Sequence, residues 1–79
     1  MKLTQEIKEK RYLNAEQLVQ LFDCIAQNGH VLIVKADGDR DVSKFTCVIS
    51  FPDDPEKAIR MDGETLLEAV FLAVSNYDF

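Results

Sequence analysis

The sequence predicts a small α+β domain in which helices pack on an antiparallel sheet of two or three strands, in the order (α)-α-β-β-(β)-α. Three observations predict this class. Apolar residues recur at helical spacing after Asn14, two short runs rich in β-branched residues follow, and a second apolar helical segment ends the chain. A chain of 79 residues has the length of one domain, so we expect a single domain over 1–79.

The first well-marked helix is predicted from about residue 14 to residue 28. Asn14 is a favourable N-cap, and Gln17 stands three residues later, where a capping box needs it. Asn28 and Gly29 both tolerate the left-handed backbone that ends helices, so they indicate the stop. The apolar positions at helical spacing are Ala15, Leu18, Phe22, Ile25 and Ala26, with Val19 beside them.

Two strands follow and are predicted to form an antiparallel hairpin. The first spans 30–36, and its apolar residues occupy both faces of the strand, so we expect both faces to be covered. The second spans 44–51 and alternates, with one face formed by Phe45, Cys47, Ile49 and Phe51.

Two stretches leave alternatives open. After the turn at 52–56, Asp54 and Pro55 could begin a short helix, or residues 57–61 could form a third strand. The strand is preferred, because a two-stranded hairpin is a poor sheet by itself. Residues 1–12 form either an N-terminal arm or a short helix started by Thr4.

The last helix is predicted over 63–77, with Asp62 or Thr65 as its cap. One ordinary core stripe consists of Leu66, Val70, Ala73, Val74 and Tyr77. Phe71 and Leu72 lie outside this stripe, so either the N-terminal segment covers them or they contact another molecule. The partner-binding surface predicted from this pattern consists of Phe71, Leu72, Leu67, Glu68 and Glu64.

The distribution of charge argues against nucleic acid as a direct partner. The net charge is −5; residues 1–11 hold four basic and two acidic side chains, and residues 12–79 hold five basic and twelve acidic ones. An acidic body repels phosphate at long range and suits docking on a protein partner or on a second copy. A nucleic-acid-binding module that uses the basic arm of residues 2–11 is the alternative function.

Two acidic clusters are candidates for metal or catalytic sites. The loop 37–41 begins with the acidic spacing of an EF-hand, but Val42 and Val48 occupy the positions of the required glycine and glutamate. The second cluster, Asp53, Asp54 and Glu56, lies in a turn rich in proline, where water reaches carboxylates and keeps them from acid–base work. We therefore expect no metal and no cofactor.

The two cysteines and the one histidine match no zinc-binding pattern. Cys47 lies on the apolar face of its strand, which indicates an inert core thiol. Cys24 points away from the apolar stripe of its helix and is either exposed or covered by the N-terminal segment. His30 stands just after a helix end, where a surface capping role is expected. These positions predict no catalytic residue, and the chain is not expected to be an enzyme.

No apolar run approaches the length that spans a bilayer, the longest being 31–34 and 69–74. Residues 1–6 include no apolar stretch, so we do not expect them to act as a signal peptide. We therefore expect a cytoplasmic protein with no membrane partner and with reduced thiols.

The order of elements is similar to that of two families. Double-stranded-RNA-binding domains run helix, three strands, helix, but they carry lysines at the start of the last helix, where this chain has Asp62-Gly63-Glu64. The chain more closely resembles the small phage and prophage α/β sandwich domains of unknown function, through residues 27–31 at the helix–Gly–strand junction and 65–73 in the Ala/Leu-rich helix. This resemblance implies a phage or prophage origin, and it supplies no catalytic motif. Together with the acidic charge and the apolar last helix, it leads us to expect a small acidic, non-catalytic interaction protein.

Overall fold

Residues 2–78, the part of the chain that the structure describes, fold into three α-helices and one three-stranded antiparallel sheet. The computed structural model confirms the α+β class and the order α-α-β-β-β-α. The elements are α1 (Lys2–Lys10), α2 (Ala15–Gln27), β1 (Val31–Ala36), β2 (Phe45–Ser50), β3 (Ile59–Gly63) and α3 (Leu66–Val74).

The sheet has the strand order β1-β2-β3, so β1 and β3 are its edges. Val34 of β1 and Met61 of β3 both lie opposite Cys47 of β2. Because side chains alternate along a strand, these three residues share one face of the sheet. The helices pack on that face, which we call the helix face, and Cys47 is fully buried there.

The chain after β2 contains both of the structures that the sequence left open, a helical turn and a third strand. Pro55–Lys57 forms one 3-10 turn with proline in its first turn, and the preferred third strand follows as β3. β3 begins at Ile59, two residues later than the predicted start, because the turn occupies the intervening residues.

The ends of α2 follow from local chemistry. Asn14 Oδ1 accepts a hydrogen bond from the Gln17 backbone N–H at 2.8 Å, and Gln17 Oε1 accepts one from the Asn14 N–H at 3.0 Å. This reciprocal capping box confirms the predicted start. Gly29, with φ +80°, takes the left-handed conformation just after the helix.

The predicted apolar stripe of α2 was wrong in part. The structure fully buries Leu21 and Ile25 and leaves Val19 66% and Phe22 39% exposed. At about 100° per residue, the aliphatic and aromatic residues of α2 span an arc of roughly 160°, which is wider than one packed stripe, so periodicity leaves several rotations open. Packing against α1 and α3, as well as β1, selects the rotation that points Leu21 inward.

The prediction that both faces of β1 are covered was also wrong. Val31 is 40% and Ile33 53% exposed on the face away from the helices, which we call the outer face. The helices lie on the other side, and among residues 2–78 no further element shields these two side chains.

Residues 2–10 form the helix α1, which packs within the domain. Of the two alternatives for this segment, the helix is therefore correct and the extended arm is not. It begins before Thr4, which is buried within the helix and does not start it. Ile7 is fully buried in the core, and α1 packs against α2 and α3. Lys8 Nζ donates a hydrogen bond to the Tyr77 carbonyl at 2.6 Å, which ties α1 to the segment that follows α3.

α3 is shorter than predicted at both ends. It begins at Leu66 because Gly63 belongs to β3, and Thr65 caps it by accepting a hydrogen bond from the Glu68 N–H at 3.1 Å. The core stripe also differs by one position, since Ala69 is buried and Leu66 is half-buried. The fully buried residues on and after α3 are Ala69, Val70, Ala73, Val74 and Tyr77.

Candidate interaction surface

The apolar residues of the predicted α3 surface are half-buried. Phe71 and Leu67 pack against the core, and Leu72 is partly shielded. Leu67, Glu68 and Phe71 line one shallow groove of about 300 Å³, and Arg11, Tyr12 and Leu13 line it from the N-terminal side. The N-terminal segment therefore approaches this part of α3 and narrows the apolar surface that another molecule can reach.

The two carboxylates of the predicted α3 surface bind within the domain. Glu64 Oε1 accepts hydrogen bonds from Ser43, from the backbone N–H at 3.0 Å and from the hydroxyl at 3.1 Å. Glu68 Oε1 accepts one from the Glu64 N–H at 3.0 Å. Glu64 and Leu72 do not line the groove. A binding role for the five predicted residues stays a prediction.

Two further sets of exposed apolar residues lie on opposite sides of the sheet, one on the outer face of β1 and one on α2, which packs on the helix side. Val31 and Ile33 are exposed on the outer face, and Val19 and Phe22 are exposed on α2. Ala15 and Ala26 are exposed as well. They lie on the same side of α2 as Val19 and Phe22, and the four positions have the spacing i, i+4, i+7, i+11 that is typical of a helix–helix contact. We call Val19, Phe22, Val31 and Ile33 the β1–α2 surface.

The helix face of β1 is also incompletely covered. Leu32 and Val34 are half-buried, although their neighbours across the hairpin, Ile49 and Cys47, are fully buried. An edge strand presents unpaired backbone N–H and C=O groups along one side. β1 is therefore an edge on which apolar side chains of both faces remain within reach of another chain.

This surface escaped the sequence reasoning, although two signals for it were present. The run from Val31 to Val34 is apolar on both faces, and α2 has more apolar residues than one packed stripe can use. Each signal was interpreted as a sign of burial within the chain. Neither residue pattern distinguishes burial within one chain from burial between two chains.

A charged network lies on the outer face at the other end of the hairpin. Arg40 Nη2 donates a hydrogen bond to Thr46 Oγ1 at 2.7 Å, and the Thr46 hydroxyl donates to Asp62 Oδ1 at 2.6 Å. The Thr46 hydroxyl, together with the Arg40 and Arg60 guanidinium groups, holds the pKa of Asp62 below its usual value, although burial acts in the opposite direction. This network connects the loop before β2 to β2 and β3.

The first carboxylate of the acidic loop 37–41, that of Asp37, accepts a hydrogen bond from within the loop. The Asp39 N–H donates to Asp37 Oδ1 at 3.1 Å, and this bond, with Lys35 and Arg40 nearby, lowers the pKa of Asp37 although burial acts the other way. Over residues 2–78, no three side chains of histidine, cysteine, aspartate or glutamate stand together as metal ligands.

His30 belongs to an aromatic cluster, which corrects the expected surface capping role. Its Nδ1 lies 2.7 Å from the Tyr77 hydroxyl, which also accepts a hydrogen bond from Asn28 Nδ2 at 3.0 Å. Phe51 stacks on Tyr77 and meets the edge of the His30 ring. Burial raises the pKa of Tyr77, while the Asn28 bond acts in the opposite direction, so the hydroxyl keeps its proton at neutral pH.

An open cleft of about 670 Å³ adjoins this cluster. His30 and Phe51 line it together with Asp53 and Asp54, of which Asp53 is exposed and Asp54 half-buried. Lys57 Nζ lies 3.6 Å from Asp54 Oδ2. General acid–base catalysis needs a positioned, usually desolvated group, and these carboxylates are wet and partly neutralised. The cleft therefore gives no support to a catalytic interpretation.

Two basic side chains of the N-terminal segment already bind partners within the domain. Lys8 binds Tyr77 and lies 3.4 Å from Asp78, and Lys10 lies 3.2 Å from Glu6. The nucleic-acid-binding alternative stays a prediction, but α1 offers less unpaired positive charge than an extended arm would.

The two thiols, Cys24 and Cys47, are expected to differ in reactivity. Cys24 is half-buried, whereas Cys47 is fully buried, and its burial raises its pKa to about 11. At pH 8 only about one in a thousand Cys47 side chains is then a thiolate, the reactive form. With a chromogenic disulfide reagent, Cys24 should react at least about tenfold faster in the native protein. Both should react equally in denaturant, and equal native rates would contradict this difference in burial.

No known protein family, characterised protein or solved structure matches this chain. None of the helices among residues 2–78 has the length and apolar content needed to cross a membrane.

Proposed function

We propose that this chain is a non-catalytic interaction domain that binds another protein chain through the β1–α2 surface. The observation that carries the proposal is the exposure of β1 on both faces. Val31, Leu32, Ile33 and Val34 form the strand most apolar in sequence, yet each keeps part of its surface in water. Fully burying one exposed side chain of this kind stabilises a structure by about 1.5–3 kcal/mol, so covering the part of each that remains in water would contribute a fraction of that to binding another chain.

The neighbouring helix supports the same surface. The exposed stripe of α2 adds Val19 and Phe22, and α2 is a helix that packs on β1. Aromatic and aliphatic anchors next to an open strand edge suit binding by strand addition, in which backbone hydrogen bonds supply affinity and side-chain contacts supply specificity. The groove beside Phe71 is smaller and its apolar residues are already half-buried, so it supports an interface less well.

Charge and element order support the broader class. The acidic body favours a protein partner over nucleic acid. A phage or prophage origin is part of the same proposal, supported by the resemblance in element order. A cytoplasmic location is part of it too, supported by the absence of a disulfide between Cys24 and Cys47.

The proposal is tested by comparing three variants in affinity capture from lysate of the cells that encode the chain. Val19→Ser with Phe22→Ser should lower recovery of specific partners, including untagged copies of the chain, at least about tenfold, because an aromatic anchor often contributes about 2 kcal/mol or more. Leu72→Ser tests the α3 groove. Val42→Ser, at a loop position 68% exposed, is the control. Equal recovery by all three variants, or loss confined to Leu72→Ser, would reject the β1–α2 surface.

A further inference from the structure

We infer that the chain forms a two-fold symmetric dimer in which the β1 strands of two copies pair antiparallel and extend the sheet to six strands. The inference rests on the proposed function and names the occupant of the β1–α2 surface as a second copy. An edge strand is complementary to itself in antiparallel pairing, because each unpaired donor meets an acceptor.

The two faces of the sheet restrict the register of this pairing. Residues directly opposite each other in an antiparallel pair point to the same face. Val31, Ile33 and Lys35 point to the outer face, so odd-numbered residues must lie opposite odd-numbered ones. Any other register would place outer-face residues of one copy on the helix face of the other.

Exposure selects one of the permitted registers, and charge excludes only the register that places Lys35 opposite Lys35 of the second copy. Ile33 is the most exposed apolar side chain of β1, and Lys35 carries the strand's one charge. Pairing centred on Ile33 places it opposite Ile33 of the second copy and places Lys35 opposite Val31 of the second copy. No like charges are opposed within the new strand pair. Leu32 then meets Val34 of the second copy on the helix face, where both are half-buried in one copy alone.

The area needed for a stable dimer brings α2 into the contact. Two paired strands of six residues bury less than the roughly 1,200–2,000 Å² of a typical specific interface. Two-fold pairing of β1 brings the two copies of α2 to the same side of the extended sheet. The exposed stripe with Val19 and Phe22 supplies the remaining apolar area.

The register predicts that the same substitution, to glutamate, has a large effect at Ile33 and a small one at Val31, and sedimentation equilibrium measures both. Ile33→Glu places two carboxylates opposite each other and should raise the dimer dissociation constant at least about tenfold. Val31→Glu places a carboxylate opposite Lys35 of the second copy and should change the constant less than about threefold. Val42→Glu adds the same charge outside the surface and is the matched control. If circular dichroism shows that Ile33→Glu does not fold, the dissociation constant of Ile33→Thr, which keeps a β-branched side chain, is measured in its place.

Salt gives an independent test of self-association. Two copies of charge −5 repel, so raising the salt from about 0.05 M to about 0.5 M should tighten the wild-type dimer. A basic partner would show the opposite dependence. A wild type that stays monomeric up to about 0.5 mM, or equal losses for Val31→Glu and Ile33→Glu, would overturn the dimer. If the wild type is monomeric while Val19→Ser with Phe22→Ser still abolishes capture of another protein, the proposed function stands and this inference fails.

Discussion

Replacing Ile7 with alanine is expected to lower the free energy of unfolding by about 2–4 kcal/mol, a large part of the stability of a domain this small. Ile7 is fully buried among the core residues although it lies in the N-terminal helix. The loss combines the removed apolar surface with the cavity left behind. Urea denaturation followed by circular dichroism measures it.

The matched control is Gln5→Ala, which changes an exposed residue of the same helix and should alter stability by less than about 0.5 kcal/mol. The comparison bears on function, because an N-terminal arm reserved for nucleic acid would contribute nothing to folding. Equal stability of Ile7→Ala and the wild type would show that α1 detaches in solution, and it would restore the arm as a candidate binding element.

Replacing Gly63 with alanine is expected to cost about 2–3 kcal/mol, because the added methyl group meets backbone. A Cβ at this position would lie 2.6 Å from Ala69 N and 3.0 Å from Ala69 Cα. The backbone of α3 cannot rotate aside as a side chain does, so β3 and α3 must separate. For a chain of this size the melting temperature should fall by roughly 10–20 °C.

Gly38→Ala is the control for this second substitution. A Cβ at Gly38 has no atom within 4 Å, so the same chemical change should be neutral or slightly stabilising, by up to about 1 kcal/mol through the unfolded chain. Thermal unfolding of the two variants side by side separates packing from the general effect of removing a glycine. A Gly63→Ala variant as stable as Gly38→Ala would refute the close contact between β3 and α3.

Residue patterns alone placed α2, α3 and the hairpin and favoured the third strand, because these depend largely on interactions between near neighbours; they left α1 open as an arm or a helix. The capping box of Asn14 with Gln17 and the left-handed Gly29 define the ends of α2 through bonds that span at most a few residues. The alternation of Phe45, Cys47, Ile49 and Phe51 likewise identified the buried face of β2. The fold class followed from such local signals.

The candidate site was less predictable, because it depends on what packs beside each apolar residue. Leu67, Glu68 and Phe71 do meet at one groove, as the pattern on α3 indicated, but Arg11 to Leu13 approach them from a distant part of the chain. The rotation of α2, which buries Leu21 and exposes Phe22, follows from its contacts with α1 and α3. Periodicity contains no information about those contacts.

By itself, the sequence determined the order of the elements, the ends of α2, the antiparallel sheet and the acidic charge, since each is a property of neighbouring residues or of composition. Tertiary structure alone decided which apolar residues remain in water. The helices pack on one face of the sheet, so Val31 and Ile33 are exposed on the other face. β1 is an edge strand because the strand order is β1-β2-β3. The hydrophobic effect is non-directional, so an apolar residue is stabilised equally by burial against its own chain and by burial against another chain. The topology of the fold determines which apolar residues its own chain buries.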